Sequence, residues 1–243
     1  MQTTSRNWDG QKGTRQLWLS ELPATLLDAL LVANKLGISY IWIDSPCIIQ
    51  DDPQDLVTEL ASMPRIYKEA SLTVVAANSE RCTDGFLHPR EPRQHPAFRD
   101  PVRSQCRNQV GGVAHIILYR TESNEPIIHR AWTLQEQYHS PRMLVYNAAI
   151  MTWTCSSRRY ADDAPLAIAH GYKNEDDFTN LSKTFYGPDL TEMKALEQWQ
   201  AIIHQYANRQ LSVQADKLRA LAAVAEEFRM RTGWLYAAGL WVE

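Results

Sequence analysis

Residues 38–43, ISYIWI, form an unbroken apolar run rich in β-branched and aromatic side chains. The run ends on Asp44 and leaves through Ser45, Pro46 and Cys47, with Gly37 before it and Asp51-Asp52-Pro53 beyond it. An apolar run this short, set between breakers, predicts a strand buried on both faces. Helical patterns flank it, so the expected strand is parallel, and ligands of such sheets bind beyond the carboxyl ends of the strands. Asp44, Ser45 and Cys47 therefore mark a candidate site.

The neighbouring segments extend this expectation. Leu22-Pro23 opens a helix whose apolar face is Leu26, Leu27, Leu30, Leu31 and Ala33, stopped at Gly37. Asp51 or Asp52 caps the next helix, which carries Leu56, Leu60, Met63, Ile66 and Tyr67 and should be kinked or split by Pro64. Residues 71–77, SLTVVAA, predict a second buried strand and close a βαβ unit. Residues 78–109 read as a loop with four prolines and six arginines (Arg81, Arg90, Arg93, Arg99, Arg103, Arg107). Residues 113–119 predict a short strand, and 129–138 a helix. Residues 142–146 and 149–155 predict a hairpin turning near Asn147. Two helical stripes follow, Leu196, Trp199, Ile203, Tyr206 and Leu218, Leu221, Ala225, Phe228, the second with Ser212 as cap. The expected organisation is an irregular segment 1–20, an α/β domain over 21–160, and an irregular linker and helical region over 161–243. The fold class is α/β, a mainly parallel sheet with flanking helices.

Composition narrows the function classes. A net charge of −3 gives no general attraction to nucleic acid or an anionic membrane. The four cysteines, Cys47, Cys82, Cys106 and Cys155, form no CxxC pair, so no zinc site or thioredoxin motif is indicated. No signal-like stretch and no run of 18 apolar residues is present, which predicts a soluble, cytoplasmic protein.

Four stretches together resemble the fungal heterokaryon incompatibility (HET) domain: LPATLLDALLVANKLGISYIWIDSPCIIQDD (22–52), M-x-x-IY-x-x-A-x-x-TVVAA (63–77), GFL (85–87) and RAWTLQEQYHSPRMLVY (130–146). Trp199, Tyr206, Leu211, 216–218 and 236–241 are similar to the region downstream of that domain. The chain departs from the family pattern at Pro46, where Leu is usual, at Pro64, and at Ala131, where Gly is usual. It also lacks the LSYxWG-type opening strand, for which Trp8-Asp9-Gly10 is a poor substitute, and it looks shortened at both ends. The resemblance implies a TIR-like or flavodoxin-like sheet and an effector role in non-self recognition coupled to programmed cell death. It also implies a protein partner or self-association.

Trp132-Thr-Leu-Gln-Glu136 places Trp and Glu on one helical face. HET domains have been likened to TIR domains, some of which cleave NAD with a glutamate in a similar context. By that analogy NAD is a candidate substrate and Glu136 stabilises an oxocarbenium-like centre. Arg130, Trp132 and Ser45 are then ligand contacts, with Asp44 as a second acid. The plainer reading puts Trp132 in the core and pairs Glu136 with Arg130 or Arg142. Cys47 is a weaker nucleophile candidate that needs His129 or His139 as base, against an inert thiol. Asp51 and Asp52 with Asp44 suggest a metal less well than helix capping does. The arginines of 78–109 read either as a phosphate-receiving lid or as a solvated basic loop. Gly111-Gly112 reads as a turn, and no cofactor motif is present. Two other functions fit the resemblance: an enzyme or accessory protein of a secondary-metabolite pathway acting on a small molecule, and an inactive or interfering fragment.

Overall fold

The computed structural model describes residues 2–9, 16–89, 102–107, 113–118, 125–148, 150–155, 159–161 and 191–242. Within them the chain is mixed α/β, with six helices: α1 (Ala24–Lys35), α2 (Asp44–Cys47), α3 (Pro53–Glu69), α4 (Trp132–His139), α5 (Glu192–Ala207) and α6 (Arg219–Thr232). The strands are β1 (Thr73–Val75), β2 (Val102–Arg107), β3 (Val113–Leu118), β4 (Arg142–Tyr146), β5 (Met151–Cys155), β6 (Arg159–Ala161), β7 (Leu235–Ala237) and β8 (Leu240–Val242). No described helix is long and apolar enough to cross a membrane.

Residues 38–43 depart most from expectation. They take no place in any sheet, and Tyr40 is 92% exposed. Apolar content was sufficient for a strand, but a strand needs a ladder partner, and among the described residues none lies alongside. The βαβ unit around α3 is therefore not formed. β1 pairs in parallel with β4 instead, in register Thr73↔Met143 to Val75↔Val145. β4 turns antiparallel onto β5, through the Asn147 N–H to Ile150 carbonyl bond of 3.1 Å, and β5 onto β6. The order β1-β4-β5-β6 holds one parallel and two antiparallel ladders, so the described sheet is mixed rather than mainly parallel.

Local signals fared better. Asp52 caps α3, its side chain accepting from the Gln54 and Asp55 N–H groups at 2.9 and 3.3 Å. Gly37, at φ +69°, ends α1, and the Ile38 N–H closes on the Ala33 carbonyl. α3 runs unbroken through Pro64, which neither splits it nor ends it. Part of the expected loop 78–109 is strand, since β2 pairs antiparallel with β3. α6 starts at Arg219 with Leu218 at its cap position, not at Ser212, because a 3-10 turn over Gln214–Asp216 intervenes. Gly111 and Gly112 lie outside the described residues. Residues 2–5 are not loose: Thr3 is buried, bridges Ile49, and donates from Oγ1 to the Pro46 carbonyl at 2.7 Å.

The apolar interior falls into clusters. Ala29, Val32, Phe86 and Tyr146 pack between α1 and the sheet. Ala131, Leu134 and Tyr138 join Trp199, Ile202, Val224, Phe228 and Trp234 in the larger C-terminal cluster. Trp199 packs edge-on against Phe228 and Trp241 at centroid distances of 5.2 and 5.1 Å. α4 thus belongs both to the sheet region and to the C-terminal helices.

Candidate functional site

α4 is a polar helix held in an interior position. Thr133, Gln135, Gln137 and His139 are all buried, alongside Leu134 and Tyr138. Buried polar side chains are uncommon without a task, so this helix is where a site is expected. Its C-terminal end is tied to the sheet: Ser140 Oγ donates to the Glu136 carbonyl at 2.7 Å and lies 2.8 Å from Thr73 Oγ1 on β1. Its N-terminal end is tied to the chain after α5, where the Ala131 N–H donates to the Gln210 carbonyl at 2.9 Å.

Glu136 lies partly buried on this helix. Tyr67, from the last turns of α3, donates its hydroxyl hydrogen bond to the Glu136 carboxylate. Trp42 meets the Tyr67 ring edge-on at 5.9 Å. Arg130, Arg209 and Asp44 are close enough to act on the Glu136 charge. Arg209 reaches in from beyond α5, where its Nη1 donates to the Arg130 carbonyl at 3.0 Å and to Thr133 Oγ1 at 2.7 Å.

The electrostatics follow from burial. Desolvation pushes the Glu136 carboxyl up to about 7; Arg130, the Tyr67 hydrogen bond and Arg209 oppose the rise, while Asp44 adds to it. Burial first, and then the carboxylates of Glu136 and Asp44, raise the Tyr67 phenol far above its ordinary value, so Tyr67 is a fixed donor. Burial lowers Arg209 to about 10, with Glu136 opposing, and it stays charged. The result is a carboxyl poised to change protonation near neutrality, beside two guanidiniums, a phenol and a second carboxylate.

Of the residues singled out in the sequence, Asp44, Arg130 and Glu136 are brought together. Ser45 adjoins Asp44, its N–H donating to Asp44 Oδ1 at 2.7 Å while its carbonyl accepts from Thr3. Trp132 packs against the C-terminal aromatic cluster, which fits the core reading. Arg142 is not the partner of Glu136, because its Nε donates to the Ser71 carbonyl at 2.6 Å. Cys47 is exposed, and desolvation with the nearby Glu59 and Asp44 charges raises its thiol, the wrong direction for a nucleophile. His129 is exposed. His139 is buried against Tyr138, and burial lowers it to about 4. Asp51 accepts from the Ser5 N–H and Asp52 caps α3, so both are occupied structurally. Among the described residues, no group of three or more His, Cys, Asp or Glu side chains is placed to hold a metal ion.

Tyr67 and Arg209 complete the cluster without standing out in the sequence as site residues. Tyr67 had a signal: it directly follows Ile66 on the face that must pack onto a neighbour. Arg209 had none, since only the fold brings it to α4. A family model described as "Heterokaryon incompatibility protein (HET)" matches residues 2–136, more than half of the chain, and its match ends on Glu136. Comparison with curated proteins and with solved structures found no match.

Proposed function

This chain belongs to the heterokaryon incompatibility (HET) family, and from that premise we propose that it is an effector of a fungal incompatibility response that acts by hydrolysing NAD at Glu136. The observation that supports this reading is a single one: Glu136 is desolvated and held between Tyr67, Arg130, Arg209 and Asp44. A carboxylate so placed stabilises positive charge developing on a ribose ring. The bond from ribose C1′ to the nicotinamide nitrogen breaks, and its electron pair leaves with nicotinamide. Water adds at C1′, and its proton passes to solvent. Exposed Arg130 is suited to the dinucleotide phosphates, and Asp44 with Ser45 lines the approach.

The test is nicotinamide release by the purified full chain. Glu136→Ala should lower the rate about 10²–10³-fold. The wild-type rate should climb with pH through about 7 as Glu136 ionises. Tyr67→Phe removes a donor that holds the Glu136 pKa down, so its profile should move to higher pH. Absence of turnover above the Glu136→Ala background would overturn the hydrolytic reading.

A further inference from the structure

We propose that Arg209 is a positioning residue of the Glu136 site, a cation that the chain after α5 carries across to the start of α4. Its part in turnover rests on the hydrolytic reading of Glu136; its hold on the charge of the site does not.

The crossing is fixed at every step. α5 ends at Ala207, and the Arg209 N–H donates to the Tyr206 carbonyl at 3.0 Å. Gln210 then forms a parallel bridge with Arg130. Its N–H donates to the His129 carbonyl at 2.6 Å, and its carbonyl accepts from the Ala131 N–H at 2.9 Å. Leu211 packs against the C-terminal aromatic cluster. Arg209 therefore projects from a backbone joined to the residues just before α4. Its Nη1 donates to the Arg130 carbonyl at 3.0 Å and to Thr133 Oγ1 at 2.7 Å. Thr133 is buried, and its single hydroxyl proton has the Ile127 and Arg130 carbonyls as acceptors. That leaves the Thr133 oxygen to accept, and the guanidinium supplies the donor.

Charge gives the joint its purpose. Glu136 lies one helical turn beyond Thr133, and its carboxylate acts on the half-buried Arg209 guanidinium. Each group favours the charged form of the other. Glu136 must be ionised to stabilise a developing cation, and its burial works against ionisation. Arg209 offsets that burial from a fixed position, which leaves the exposed Arg130 for the dinucleotide phosphates. The family match stops at residue 136, so this cation comes from outside it.

A carbon-13 NMR titration of the Glu136 carboxyl in the full chain, assigned by its loss in Glu136→Gln, tests this without NAD. Arg209→Met should move the midpoint up from about 7, by about half a unit or more. Arg209→Lys should return it to the wild-type position. In nicotinamide release at pH 7, Arg209→Met should lose roughly tenfold or more, and Arg209→Lys should recover most of that loss. A side chain that only filled space would not separate the two, since methionine packs as well as lysine. Arg209→Gln carries the same expectation as Arg209→Met and takes its place if that variant does not fold by circular dichroism. A midpoint that stays or falls in the folded neutral variant overturns the proposal, as does a lysine variant that titrates with it. A wild type that releases no nicotinamide overturns the hydrolytic reading instead, and the titration then decides for Arg209 alone.

Discussion

Two ionisable groups on α4 set opposite pH slopes. The Glu136 pKa in the folded chain is about 7, against an ordinary 4.5. The folded state therefore holds the extra proton between these values, and stability falls as pH rises through that window, by about 3 kcal/mol in full. His139 is the reverse case, at about 4 against 6.5, with Glu227 and Lys68 as its charged neighbours. The unfolded state holds the extra proton there, so stability falls as pH drops from 6.5 toward 4, again by about 3 kcal/mol. Between 4.5 and 6.5 the two slopes nearly cancel. Denaturant melts of Glu136→Gln should reveal a stability that rises from pH 4 to 6.5 and then levels off. Melts of His139→Leu should reveal one that falls from pH 4.5 to 7. Parallel curves for both variants and the wild type would refute the assignment.

At the scale of elements, the segment after β1 is fastened to α1 by one carboxylate. Asp28 Oδ2 accepts from the Phe86 and Leu87 N–H groups at 2.6 and 3.0 Å, which seats Phe86 in the core. Gly85 makes the approach feasible: its φ is +73°, and a Cβ there would lie 2.8 Å from Asp28 Oδ2. Gly85→Ala should lower stability by about 1–2 kcal/mol, read as a shift in the urea midpoint at constant slope. The elements that were legible in the sequence share this local character. The Asp52 cap, the Gly37 stop and the β4–β5 hairpin are each specified within a few residues. Residues 38–43 form no strand although their pattern suits one, because an apolar run states what a strand needs but not what lies beside it. The β1–β4 pairing spans about 70 positions, with no signal in either strand to name the other. The site divides in the same way. Glu136 and Asp44 stand out through their motif contexts, whereas Tyr67 and Arg209 become partners only where α3 and the chain after α5 meet α4.

For the molecule as a whole, the family match ends at residue 136, inside α4, but the packing of that helix does not end there. Leu134 and Tyr138 enter the cluster built by Trp199, Ile202, Phe228 and Trp234, and Arg209 crosses back to Thr133. A fragment of residues 1–160 should therefore bind a hydrophobic dye strongly and lose its cooperative thermal transition, while the full chain melts sharply and binds little. Phe228→Ala in the full chain should cost about 3–5 kcal/mol, because its ring is fully enclosed between Trp199 and Trp241. The encircled helix also has a consequence for sequence variation. A surface helix tolerates change on one side, so its mutational profile rises and falls every three to four positions. α4 has no such side, since six of its eight residues are buried and the other two, Trp132 and Glu136, face the aromatic cluster and the acid–arginine group. A saturation library across 132–139 should show a solid block of intolerance with no helical rhythm.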